Sequence, residues 1–221
     1  MSSPPQNRSA IADEPLGADR ELALIHVPAK VREAFRALFA IDAAMADVVA
    51  KSSDPALGRI KLAWWRERLE SLDSGPPPAE PRLQHAAHDI LPTGIGGAEL
   101  ASLEAGWATL LDPEVDPELI AKRGSTLFEL GGRLLGSPDP GLADAGALYA
   151  LASVGRRGVP DLLKPARLYL DRVRGHRFAK AVRPVTMLAR AAARDLKLPE
   201  EEGSRGRTLA MLAHRWSGRI G

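Results

Sequence analysis

The chain has 221 residues, 45% of them hydrophobic and 26% charged, which suits one large folded domain with a sizeable core and excludes a disordered polymer. Its formal charge is only +2, so nucleic-acid binding is not expected. It has no cysteine, which excludes a disulfide framework, a thiolate nucleophile and cysteine-held zinc or iron–sulfur centres.

Residues 1–17 are polar and proline-containing, with no apolar run. They are expected to be a disordered tail and not a secretory signal, leaving 18–221 as the folded domain. Residues 18–27 read as a short helix broken at Pro28. The stretch 34–72 is the centre of the chain and reads as a helical hairpin. Its first arm places Phe35, Leu38, Ile41, Met45 and Val48 or Val49 at the spacing of a buried helix face. Asp54 and Pro55 then supply a cap and a first-turn proline. The second arm carries Leu57, Ile60, Leu62, Trp64, Trp65, Leu69 and Leu72. Adjacent tryptophans cannot share one helix face, so one belongs in the core and the other at a second interface or pocket rim.

A proline-rich connector, 74–81, precedes a helix over 81–91. Gly94, Gly96 and Gly97 follow no strand and no Lys-Ser/Thr pair follows them, so they read as a plain loop and not a phosphate cradle. Leu100, Leu103, Trp107, Leu110 and Leu111 define one amphipathic helix. Asp116-Pro117 starts the next, in which Gly124, Gly131 and Gly132 lower helix propensity but let another helix or a ligand approach closely. Asp139-Pro140 opens a helix through Tyr149 to Arg157. Pro160 opens one ending near Gly175, with Pro165 as a kink or its true start. The basic stretch 177–198 is expected to bend at Pro184, and 204–218 is the last helix. The pattern gives eight or nine helices and no strand. No run approaches the roughly 18 apolar residues of a membrane span. The fold class is all-α, and a soluble, cytoplasmic protein is expected.

Residues 28–49, PAKVREAFRALFAIDAAMADVV, resemble the opening of squalene/phytoene synthases. There a basic helical segment leads into an ALYAFCRxxDDxxD-type motif, and Ala37 to Ile41 occupy the ALYAF positions. Residues 59–69, RIKLAWWRERL, look like the helix that follows. Residues 146–161, GALYALASVGRRGVPD, align with the second motif of that family, GxALQLTNxLRDxxED. Arg183-Pro184 sits where the family often carries Arg-Pro. The resemblance implies a single-domain helical bundle of the isoprenoid-synthase type, shortened here, with the helices around 35–50 and 146–157 facing each other across one core. It also implies the family chemistry, in which two prenyl diphosphates are joined head to head and Mg²⁺ held by aspartates stabilises the leaving anions.

The aspartates are mostly missing. The first-motif positions read Ala46, Asp47 and Ala50, and the second-motif positions read Arg157, Pro160 and Asp161. Asp42 is no substitute, because five residues from Asp47 it lies roughly 140° round the helix. No metal, no cofactor and no catalytic residue is therefore expected. The residues of a vestigial substrate site are Asp42, Asp47, Tyr149, Arg156, Arg157 and Asp161. Asp47 either ligates a metal or pairs with Lys51 at i+4. Asp42 interrupts an apolar stripe and is a candidate for a buried arginine partner across the bundle. Arg156 and Arg157 either hold a phosphate or end a helix in salt bridges. His85 and His88 share a helix face but lack a third ligand.

The stretch after the first motif resembles the branch of complex I assembly factors that descends from phytoene synthases. The expectation is thus a catalytically degenerate binding or assembly module, holding a prenyl diphosphate or lipid without turnover, or a protein partner. A divergent prenyl-diphosphate transferase and a helical protein–protein interaction domain are the alternatives. The basic residues from Arg167 to Lys180, with Arg205, Arg207, His214, Arg215, Trp216 and Arg219, read as a solvated face or as a footprint for anionic lipid or an acidic partner, a peripheral membrane contact.

Overall fold

The computed structural model describes residues 16–221, so nearly all of the expected N-terminal tail lies outside the described residues. Among these residues eleven α-helices follow in order. They are α1 (Ala18–Ile25), α2 (Ala29–Lys51), α3 (Pro55–Ser71), α4 (Pro81–His85), α5 (Gly97–Ala101), α6 (Glu104–Ala108), α7 (Pro117–Leu134), α8 (Leu142–Arg156), α9 (Leu163–Val173), α10 (Arg183–Asp195) and α11 (Arg205–Ser217). Three of these are five-residue turns, which leaves eight longer helices. No strand forms among the described residues, only a single bridge between Arg177 and Arg219. The result is an all-helical, single-domain bundle consistent with the isoprenoid-synthase superfamily.

The hairpin is α2 and α3. The Asp54 carboxylate accepts from the Ala56 amide at 2.8 Å and Pro55 fills the first turn, as the cap pattern requires. The tryptophans divide between two environments. Trp65 is buried, while Trp64 is 39% exposed and stacks edge-on against it at 5.3 Å.

Local chemistry corrects several boundaries. The expected 81–91 helix is α4 followed by a π turn (Ala86–Ile90) and a 3-10 turn (Leu91–Thr93). The single amphipathic helix over Leu100–Leu111 is two pieces, α5 and α6. Their break at Ser102–Leu103 re-aims the second piece so that Trp107 reaches Asp42. The Gly94–Gly97 loop holds a carboxylate of the chain itself, since Asp73 accepts from Gly97 and Ala98 amides at 2.5 and 2.9 Å. Helix α8 begins at Leu142, after Asp139. That side chain accepts from the Gly141 and Ala179 amides at 3.0 and 3.1 Å and tethers the helix start to a later turn. Pro160 opens a 3-10 turn, and Pro165 lies in the first turn of α9, where no amide is needed. Pro184 does not bend a helix, because it lies in the first turn of α10.

Helix α8 packs on α7, α9 and α10 at the centre. Its approach to α7 is backbone against backbone at Gly124 and Gly146. The chain's ends are joined by a buried ion network: Arg207 pairs with Asp19 at 2.5 Å and with Asp195, and Arg156 reaches Asp195 at 3.3 Å.

His214 is fully buried between Thr186 and the Arg219 carbonyl. Its Nδ1–H donates to that carbonyl, and Nε2 accepts the Thr186 hydroxyl. Burial, together with the charges of Arg183, Arg190 and Arg215, lowers its pKa to about 4. The unfolded imidazole protonates near 6.5, so protons favour unfolding as pH falls from that value towards 4. Stability is expected to drop by about 2 kcal/mol between pH 7 and pH 5. Urea titrations at both pH values read this, and His214→Asn is expected to flatten the difference.

Candidate functional site

A cleft of about 240 Å³ lies between the two motif helices. Helix α2 contributes Ala43, Ala46 and Asp47, α8 contributes Tyr149, Ser153 and Val154, and Arg157 follows directly after α8. Helix α1 covers it with Arg20, while Trp107 and Arg123 close it from α6 and α7. Both motif helices therefore face one cavity. An adjoining slot of about 320 Å³ shares Asp47, Trp107 and Arg157 and is otherwise apolar, lined by Ala46, Val49, Ala50, Leu110, Val154 and Val159.

Beneath the cleft sits Asp42, with no exposed surface. Its carboxylate accepts from Arg20, from Arg123 at 2.7 Å and from the Trp107 indole at 2.9 Å. Arg20 also donates to the Tyr149 hydroxyl and the Phe39 carbonyl, each at 3.1 Å. The Arg123 guanidinium stacks on the Trp107 ring at 3.8 Å, and its Nε–H is buried without a hydrogen-bond partner. Burial alone would raise the Asp42 carboxyl, but the charges of Arg123 and Arg20 outweigh it and hold the group at about 2. Two guanidiniums thus face one carboxylate, leaving a net positive charge under the cleft.

The sequence-derived candidates are only partly brought together. Asp42 meets two buried arginines. Asp47 lines the rim and pairs with Lys51 at 2.6 Å. Tyr149 holds Arg20 in place. Arg157 is on the rim, paired with Glu202 at 2.6 Å. Arg156 lines neither cavity and instead turns to Asp195, Glu202 and the Glu200 carbonyl. Asp161 is exposed in the turn after α8 and lines neither cavity. Arg20, Trp107, Arg123 and Glu202 are site residues that the sequence reading did not single out.

Ala46 and Ala50 line the cavities at positions where the resembled motif carries aspartates. Residues 17–98 match the squalene/phytoene synthase family. The homology covers α1 to α4 and the first residues of α5, so it includes Arg20, Asp42 and Asp47, whereas Trp107, Arg123, Tyr149 and Arg157 lie beyond it. No curated protein and no solved structure matches the chain.

The residues present do not fit the family's Mg²⁺. That ion needs several oxygen ligands in octahedral array. Here the Asp42 oxygens are taken by arginine and tryptophan, and Asp47 is engaged by Lys51. Among the described residues no three His, Asp or Glu side chains gather as a metal site. His85 pairs with Asp89 at 3.0 Å. No helix among them is long and apolar enough to cross a membrane.

Proposed function

We propose that this chain is a catalytically degenerate relative of the squalene/phytoene synthases that holds one prenyl diphosphate or a similar anionic lipid without turning it over, as a binding or assembly module. The observation that carries the reading is the exchange of charge at the cleft. Alanines stand where the family places metal-binding aspartates, and two arginines on a single aspartate supply the positive charge instead. Arginine stays charged at every relevant pH, and the excess of two guanidiniums over one carboxylate favours an anion in the cleft without a metal. The apolar slot beside it suits a prenyl chain.

Size argues against condensation. Pockets for one drug-sized ligand run to roughly 300–1,000 Å³, and the cleft and slot together lie within that range. That volume suits one ligand of this kind. Fixed guanidiniums also cannot supply the charge that several Mg²⁺ ions give to a leaving diphosphate. The assembly-factor branch is the part of the family this reading favours.

Calorimetry with farnesyl diphosphate in EDTA tests it. Metal-independent binding is expected. Arg157→Ala, on the rim, is expected to weaken it by about 1.5–3 kcal/mol, the scale of a charge-assisted hydrogen bond, and Arg156→Ala to leave it unchanged. No squalene or phytoene is expected from labelled farnesyl or geranylgeranyl diphosphate with Mg²⁺. Product formation that EDTA stops would favour a divergent transferase, and absence of any heat of binding would leave a protein-interaction module alone.

A further inference from the structure

Helix α11, RGRTLAMLAHRWS, contains no acidic residue. Arg205, Leu209, Leu212 and Trp216 follow at i, i+4, i+7 and i+11, which puts them in one stripe along its outer side. Leu209 is 67% exposed and Trp216 is 84% exposed, while Leu212 leans partly onto the core. The helix is firmly seated. Its inner side is held by Arg207 on Asp19 and Asp195 and by buried Met211 and His214, and Gly218 ends it in the left-handed conformation at φ 74°. The stripe is therefore a fixed surface.

The C-terminal stretch that contains it carries an excess of positive charge. Residues 177–221 hold ten Arg and Lys against four Asp and Glu. Three of those acids are already engaged: Asp195 with Arg207, Glu200 with Arg194, and Glu202 with Arg157. Arg205 and Arg219 are exposed and have no carboxylate partner among the described residues.

We infer that α11 docks on an anionic lipid bilayer, with Trp216 and Leu209 at the boundary between headgroups and acyl chains and Arg205 and Arg219 against the headgroups. Basic flanks around a Trp/Leu stripe are the chemistry of an interfacial helix, and tryptophan favours that depth. The stripe offers two protruding apolar side chains on the outer side of a helix, a fraction of the ~800 Å² per partner that a stable protein interface buries. A bilayer deforms around such a surface, whereas a protein partner would need a matching concavity. Glu202 lines the cleft three residues before α11 begins, so the cleft lies near the end of this helix. The docking surface stands independently of what the cleft holds.

Flotation of the full chain with extruded vesicles tests this. The chain is expected to float with equal parts phosphatidylglycerol and phosphatidylcholine, and not with phosphatidylcholine alone. Salt is expected to release it, because exposed charges are screened. Leu209→Ser with Trp216→Ser is expected to lower partitioning at least about tenfold, and Arg205→Glu with Arg219→Glu about tenfold at low salt. Circular dichroism checks that these surface variants stay folded. Ile60→Ser, at an exposed apolar position of a different helix, α3, is expected to float like the parent. The inference is overturned if the parent does not float, if the double-serine variant floats equally well, or if Ile60→Ser abolishes flotation. Retention on polyglutamate without flotation would likewise overturn it and indicate a soluble acidic partner.

Discussion

Asp42→Ala is expected to destabilise the fold by about 3–5 kcal/mol, the range for removing one partner of a buried ion pair. The upper end applies here because two guanidiniums are stranded at once. Arg20 and Arg123 both point at Asp42, from α1 and α7, and neither pairs with another carboxylate among the described residues. Trp107 loses its acceptor as well. The cluster joins α1, α2, α6 and α7, so its loss should act on the whole transition and not on one helix. Asp42→Asn keeps the shape and one acceptor oxygen, and is expected to cost about 1.5–3 kcal/mol, the value of lost charge-assisted hydrogen bonds. Urea unfolding near neutral pH measures both.

The acid limb gives a second reading of the same group. Its folded carboxyl sits at about 2 and an unfolded one near 3.9. A depressed carboxyl contributes stability that is present above the unfolded value and lost as pH falls through the folded one. About 2 kcal/mol should therefore disappear between pH 4 and pH 2 in the parent and be absent in Asp42→Asn. An Asp42→Ala protein within about 1 kcal/mol of the parent would mean that the cluster does not organise the bundle.

The three charges of this cluster were individually visible in the sequence. Asp42 lies between Leu38 and Met45, Arg123 between Ile120 and Leu127, and Arg20 ahead of Leu24, each interrupting an apolar stripe at helical spacing. Such residues are expensive to bury alone, so opposite charges of this kind are natural partners. Asp42 raised the question, but pairing it needed to know which helices meet, and helical periodicity does not carry that. Arg156 and Arg157 show the same limit. Adjacent on the chain, they differ by about 100° round a helix, which sends one to Asp195 and leaves the other on the cleft rim. Caps were more legible than interiors. Asp54, Asp116 and Ser204 each start a helix as their local chemistry requires, because a cap is decided within a few residues. Pro184 reads as a bend because its helix start has no Ser, Thr, Asp or Asn to announce it. Val182 stands at that position, and the buried Arg183 folds back to the Phe178 carbonyl at 3.0 Å.

Gly146 joins sequence motif, packing and site in one residue, and Gly146→Val is expected to cost more than about 3 kcal/mol, beyond ordinary overpacking. A Cβ at this position would run into the Gly124 carbonyl, with that carbonyl carbon 2.5 Å and the Ser125 nitrogen 2.9 Å away. These are backbone atoms of α7, and they cannot turn aside as a side chain does. Relief requires α7 and α8 to separate along their whole contact. Gly146→Ala meets the same obstacle with less volume. Its gain of about 1 kcal/mol in helix propensity offsets part of the strain, so a smaller loss is expected. Gly132→Ala is the control on the same helix pair. There the added carbon meets chiefly the flexible end of Leu142, and a loss below about 1 kcal/mol is expected. Separation of α7 from α8 would also move Arg123 away from Tyr149 and open the cleft between them. Gly146→Ala should then lose farnesyl diphosphate affinity while it is still folded, whereas Gly132→Ala should retain it. Equal stability of the two alanine variants would mean that the helix contact is looser than the glycine pair implies.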